Sequence, residues 1–390
     1  MEKIKDTFIE QWRGIAVFIV VYFHYSDRLP PAAFGFSEGP SVHQHIGKLG
    51  VLLFFIISGY LIAKSLEASK TLADFYAKRI SRIWPLFILA NLTVFIFLLF
   101  FSPPTVTTGD YQFYEKGRDV LDLIGTMFFA ADLGFDWIDG AFWSLLVELK
   151  FYFFIGMCAV IFPKRFATAF CVFALAASGL DFLILYFDRS GPIGFSDSEQ
   201  FRVVSQILHG LFVSQYLPMF AIGVALYRKK FDGLFTAVIF MACITALIGV
   251  YEIHLFKAED NVLFIMLFAF LVVADHVIFK NAVFMWIGKY SYSIYLFHQM
   301  IGLTIMKMVA PYVTMDAAIV IALLSVSAIA WGASWLCEWR FRKLFISNLI
   351  KLFSLFGLHK LLIHIAPTDA PVLEEKAKAS PVPLAGAAGK

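Results

Sequence analysis

The sequence predicts an all-α fold, a polytopic transmembrane bundle of about ten spanning helices with both termini cytoplasmic. Three observations predict it. Of 390 residues, 60% are hydrophobic and 16% charged, with a mean hydropathy of +0.77, whereas soluble domains are about a quarter charged. The apolar residues gather into runs of about 17 to 25, the length that crosses a bilayer as a helix. Basic residues concentrate in every second segment between those runs, on the side that holds the N-terminus.

In order, the expected spans are residues 9–27, 49–66, 85–102, 142–162, 166–187, 203–227, 234–254, 261–279, 290–309 and 313–336. Several contain Gly, Ser or a charge, which a bundle interior tolerates. With a cytoplasmic N-terminus, the inner segments hold Lys3 and Lys5, then Lys64, Lys70, Lys78, Arg79 and Arg82, then Lys164 and Arg165, Arg228 to Lys230, Lys280 and Lys289, and Arg340, Arg342 and Lys343. They outnumber the basic residues of the outer segments, as the positive-inside rule requires. Residues 103–141 and 188–202, with their Pro, Gly and Asp, read as outer loops too short for a catalytic domain. Residues 341–365 mix basic with bulky apolar residues, as expected of an amphipathic helix in the cytoplasmic interface, with an eleventh span as the alternative. Residues 366–390 are Pro- and Ala-rich and are expected to be disordered.

Composition also narrows the function classes. A net charge of +3, scattered among apolar runs, offers no nucleic-acid surface. The four cysteines, Cys158, Cys171, Cys243 and Cys337, sit in apolar runs without paired or metal-ligand spacing and read as small hydrophobes, so no disulfide is expected. His43 and His45 lack companion ligands at suitable spacing, and no metal is expected. The N-terminal segment lacks a small-residue cleavage site, which argues against a removed signal peptide. There is no Gly-x-Ser-x-Gly elbow and no cysteine beside a histidine, so no protein nucleophile is evident.

The chemistry-bearing signal is QWRGIAVFIVVYFH, residues 11–24. Arg13 and His24 are eleven residues apart, a rotation of roughly 1100°, so they share one helix face at a separation of roughly 16 Å. Ionisable groups in a spanning helix are costly and usually face a cavity or a partner. The plain alternative is a snorkelling arginine and a hydrogen-bonded core histidine.

Five stretches together resemble, in order, the motifs of the acyltransferase-3 family of integral membrane acyltransferases. They are RGIAVFIVVYFH, GKLGVLLFFIISGYLI (47–62), FYAKRISRIWPLF (75–87), FWSLLVELKFYF (142–153) and IGKYSYSIYLFHQM (287–300). CEWRFRK (337–343) departs from the pattern, with Arg340 where the family has proline. The resemblance is to the stand-alone form, which makes residues 1–340 the transmembrane acyltransferase domain. It implies an enzyme of the inner (cytoplasmic) membrane that moves an acyl group, most often acetyl, from cytoplasmic acyl-coenzyme A to a hydroxyl of an envelope or exported carbohydrate or glycolipid. Acetyl-coenzyme A is then a donor substrate, and no permanently bound cofactor is expected.

On that reading Arg13, Arg79 and Arg82 hold the donor's phosphates, because guanidinium forks match phosphate oxygens. Topology-setting charge is the alternative for Arg79 and Arg82. His24 is the expected general base, since imidazole titrates near neutrality; an acyl-histidine intermediate is the alternative. Glu148 lies at a similar depth, counted from the outer helix ends, and is the expected orienter of His24, with Asp27 as rival and simple hydrogen bonding to Lys150 or to Trp and Tyr donors as the alternative. Ser58, Trp143, Ser144, Tyr152, Tyr292 and His298 match motif positions as pocket or structural residues. Transfer of succinyl or a longer acyl group, or a small-molecule acceptor, would leave the same motifs. A secondary transporter or a scaffold protein would share the helix count.

Overall fold

The structure, a computed structural model, describes residues 2–37, 39, 46–104, 106–108, 111–113, 119–190, 203–204, 207–228, 233, 281–337 and 342–355. Its helices are α1 (Glu2–Ser26), α2 (Ile46–Glu67), α3 (Leu72–Phe100), α4 (Val120–Met127), α5 (Trp143–Ile161), α6 (Phe166–Ser190), α7 (Leu217–Arg228), α8 (Ala282–Lys289), α9 (Ser291–Val309), α10 (Met315–Ser334) and α11 (Arg342–Leu355). The all-α class holds, apart from a short antiparallel hairpin of Val106–Thr108 with Tyr111–Phe113. Among the described residues, five helical stretches are long and apolar enough to cross a membrane: Leu49–Glu67, Leu72–Phe100, Gly140–Ile161, Pro163–Ile184 and Met315–Cys337. The expected spans at 234–254 and 261–279 lie outside the described residues.

Local chemistry sets the helix starts. Thr71 caps α3, its side chain accepting from Asp74 N at 3.1 Å, and Asn281 caps α8 by accepting from Val283 N and Phe284 N. Each cap satisfies backbone donors that have no partner within the helix.

Three expectations change. The third span was expected to begin at Pro85, but α3 runs through that proline from Leu72, which puts Arg79 and Arg82 on the helix itself. Proline is tolerated inside a membrane helix where neighbouring protein groups satisfy the backbone it disturbs. The span expected at 203–227 is broken into a π-helical turn at Ile207–Leu211, a positive-φ residue at Val213 and then α7. Polar groups of α6 compensate for the break: Ser178 Oγ donates to Ser214 O, while Asp181 pairs with His209 and accepts from Ser214 Oγ at 2.7 Å. Finally, 103–141 is more regular than a loop, since it contains the hairpin and α4.

α9 is the centre of the bundle. Ser291, Ser293, His298, Gln299 and Thr304 are buried along with its apolar residues, so its polar groups face protein instead of lipid. It packs on α10 and α1, while α2 packs on α7 and α1. Phe151 and Phe220 stack at 4.1 Å between centroids and, with Phe55 and Phe170, fill the space between α2, α5, α6 and α7. Ile96, Leu99 and Phe100 are exposed at one end of α3, as expected of a lipid-facing surface.

Glycines let backbones touch where α1 crosses α8, as small residues do at membrane helix contacts. A Cβ on Gly288 would stand 1.7 Å from Glu10 O, and one on Gly14 would stand 2.0 Å from Phe284 O. Gly288→Ala must therefore push the two helices apart. Its expected cost is about 1 to 3 kcal/mol, read as a lowered midpoint for loss of the monodisperse peak after heating in detergent; an unchanged midpoint would mean that this crossing yields without strain.

Candidate active site

A cavity whose empty space, part of it open to solvent, is about 760 Å³ lies between α1, α2, α3, α5 and α9. Its α2 lining runs from Val51 to Ile62, about 16 Å of helix. Arg79 and Arg82 come from the first half of α3, beside the end of α2 that carries Ile62, and Arg13 of α1 lines the same cavity. The three arginines singled out in the sequence are therefore gathered around one space. Ser144, at the start of α5, and Tyr295 belong to the opposite end.

Glu148 lines this cavity too, whereas His24 does not. Its Oε1 accepts from Ser58 Oγ at 2.6 Å and, as the alternative of a Tyr donor had it, from Tyr152 OH at 2.5 Å, which ties this oxygen to α2 and to its own helix. Lys150, another of the alternative partners of Glu148, donates to Asp132 and to Gly210 O. Of the six expected pocket or support residues, Ser58, Ser144, Tyr152 and Tyr292 line the cavity. Trp143 packs against Phe55 and Tyr216. His298 lies beyond the lining, one turn past Tyr295, a rise of about 4.5 Å.

His298 meets His24 there. Its Nε2 is 3.4 Å from His24 Nδ1, and the rings cross at 79° with centroids 4.8 Å apart. His24 Nδ1 is also 2.8 Å from Val20 O, and His298 Nδ1 is 2.6 Å from Tyr295 O. Arg13 and His24, on one face of α1, thus address two different neighbourhoods: the cavity and the histidine pair at its far end.

Three residues that frame this pair were not singled out in the sequence. Tyr25 OH donates to His298 O at 2.9 Å. Tyr295 OH donates to Ala141 O and meets Ser144 Oγ, each at 2.7 Å. Asp139, buried ahead of α5, accepts from Ala141 N at 2.9 Å and from Met300 N at 3.0 Å. Together they fasten the turn of α9 around His298 to α1 and to the start of α5. Two signals pointed at them: Tyr295 is one turn from His298, where side chains share a face, and Asp139 is a capping residue type directly before an expected span.

The family model described as an acyltransferase domain, that of the acyltransferase-3 family, matches residues 6–336. The chain belongs to that family. Among curated relatives, an acyltransferase-3 chain such as this is similar to an O-acetyl transferase of Shigella phage Sf6, 30% identical over 153 residues, which is 36% of this chain and 42% of the relative. It is similar to nodulation protein 10 of Rhizobium leguminosarum bv. viciae, 31% identical over 140 residues, 33% of this chain and 38% of that protein. It is also similar to the peptidoglycan O-acetyltransferase OatA of Listeria monocytogenes serovar 1/2a, 24% identical over 327 residues, 74% of this chain and 48% of that protein. The chain spans less than half the length of each of these relatives. No solved structure matches it significantly.

Proposed function

We propose that this multi-pass membrane protein is an O-acyltransferase that moves an acyl group, most simply acetyl, from cytoplasmic acyl-coenzyme A to a hydroxyl of an envelope or exported carbohydrate. The observation that carries the proposal is the one cavity in which Arg13, Arg79 and Arg82 converge and whose far end, at Tyr295 and Ser144, lies one helical turn short of the His24–His298 pair. Coenzyme A has matching ends: a polyphosphorylated nucleotide for the guanidinium groups, and a thioester at the tip of a long, weakly polar arm. The mixed lining suits such an arm, with Phe54, Phe55 and Leu61 supplying apolar surface and Ser58 and Glu148 supplying polar atoms. Names of two relatives, each an O-acetyltransferase and one acting on peptidoglycan, support an acetyl donor and a carbohydrate acceptor.

In the chemical step His24 takes the proton from the acceptor hydroxyl as its oxygen attacks the thioester carbonyl. The carbon–sulfur bond then breaks, and the departing thiolate recovers the proton from His24. An ester and free coenzyme A result. Membrane vesicles from an expressing strain test the direction. Inverted vesicles supplied with radiolabelled acetyl-coenzyme A should place alkali-labile label on carbohydrate, and sealed right-side-out vesicles should not. Labelling confined to the right-side-out vesicles would reverse the orientation. Solute flux without any dependence on acyl-coenzyme A would favour a transporter.

A further inference from the structure

We infer that His298 is the positioning residue of His24, the group that holds its imidazole and supports the cation formed during transfer. The inference rests on the acyl-transfer reading above and concerns what makes His24 effective within it. A carbonyl oxygen can only accept. His24 Nδ1, 2.8 Å from Val20 O, and His298 Nδ1, 2.6 Å from Tyr295 O, therefore each carry the hydrogen of a neutral ring. That assignment leaves both Nε2 atoms bare. His298 Nε2 then faces the N–H of His24 Nδ1 at 3.4 Å as an acceptor, and His24 Nε2 is the atom that can take a proton.

The two acceptors of His24 Nδ1–H have different duties. Val20 O is one turn back on the same helix and sets the tautomer. His298 comes from α9 and fixes the plane of the ring across the bundle. It can do so because it cannot itself turn: its side chain is fully buried, its Nδ1–H is tied to Tyr295 O, its own carbonyl accepts from Tyr25, and the turn is held again where Asp139 accepts from Met300 N. When the acceptor hydroxyl passes its proton to His24 Nε2, the ring becomes imidazolium and the bond from Nδ1–H to His298 becomes charge-assisted, which strengthens it. A hydrogen bond that is long at rest and tightens in the reacting complex is usual for catalytic groups. His298 gains no proton: the hydrogen on His24 Nδ1 stays there while the one on Nε2 goes on to the sulfur. A neutral imidazole thus takes the orienting place that a carboxylate holds in a serine-protease triad, while Glu148 Oε1 accepts from Ser58 and Tyr152.

Three substitutions at His298 separate orientation from packing, assayed in inverted vesicles with radiolabelled acetyl-coenzyme A and normalised to folded protein. His298→Gln offers an amide oxygen where Nε2 stands and should keep kcat within about fivefold. His298→Phe keeps the bulk but offers no acceptor, and His298→Asn falls about one bond short. Both should lose about 10- to 100-fold in kcat, the worth of one hydrogen bond to a charged group, with the KM for acetyl-coenzyme A unchanged. Full kcat in folded Phe or Asn variants, or equal losses in all three, would overturn the inference. His24→Ala tells the two readings apart: an active His24→Ala removes the general base itself, whereas an inactive one beside an active His298→Phe removes the role of His298 alone.

Discussion

Replacing His24 with alanine is expected to lower acetyl transfer by about two to four orders of magnitude, the usual contribution of a positioned acid–base group. The loss should fall on kcat and leave donor binding intact, because His24 does not line the cavity that holds the arginines. That pattern is the signature of an interaction made only in the transition state. Folding should survive, since the half-buried ring gives up few contacts, those with Val20 O, His298 and the Phe23 ring among them. Measuring transfer and donor affinity on the same preparation checks both halves. A variant with unchanged kcat removes His24 from the chemistry, and one with lost donor affinity means that the histidine pair belongs to the donor site.

The second large effect is expected from Arg79→Ala together with Arg82→Ala. Hydrogen bonds to charged groups are worth about 1.5 to 3 kcal/mol each, so losing both guanidinium groups should weaken acetyl-coenzyme A binding by about two to four orders of magnitude. The two residues share the cavity with Arg13 and need not act additively. Lysine replacements should recover only part of the affinity, because they restore charge without the planar fork. An unchanged KM in the alanine variant would reduce this motif to a topology signal.

Axial position was legible in the sequence, and neighbourhood was not. Counting along a helix put Arg13 and His24 on one face, and α1 carries them so. The same counting put Glu148 and His24 at similar depth, yet depth says nothing about which way a helix faces its neighbours. Glu148 turns toward Ser58 on α2, while His24 turns toward His298 on α9. The residues that hold α9 in place were harder to find, because Asp139, Tyr25 and Tyr295 bond to backbone carbonyls and amides, and spacing or residue type alone does not say which ones. Helix ends failed where local preference and tertiary support disagree. Pro85 reads as a boundary but is continued through, and 203–227 reads as one apolar run but is broken around Val213, where Ser178 of α6 donates to the backbone oxygen of Ser214 and Asp181 holds the side chains of Ser214 and His209.

The central claim is that the arginine-lined cavity holds the acyl donor. Calorimetry of acetyl-coenzyme A binding to purified protein in lipid nanodiscs, wild type against the Arg79→Ala/Arg82→Ala double variant, tests it most directly. The account predicts saturable binding by the wild type and its loss in an equally well-folded variant. Equal binding by both proteins, or none by well-folded wild type, would contradict it.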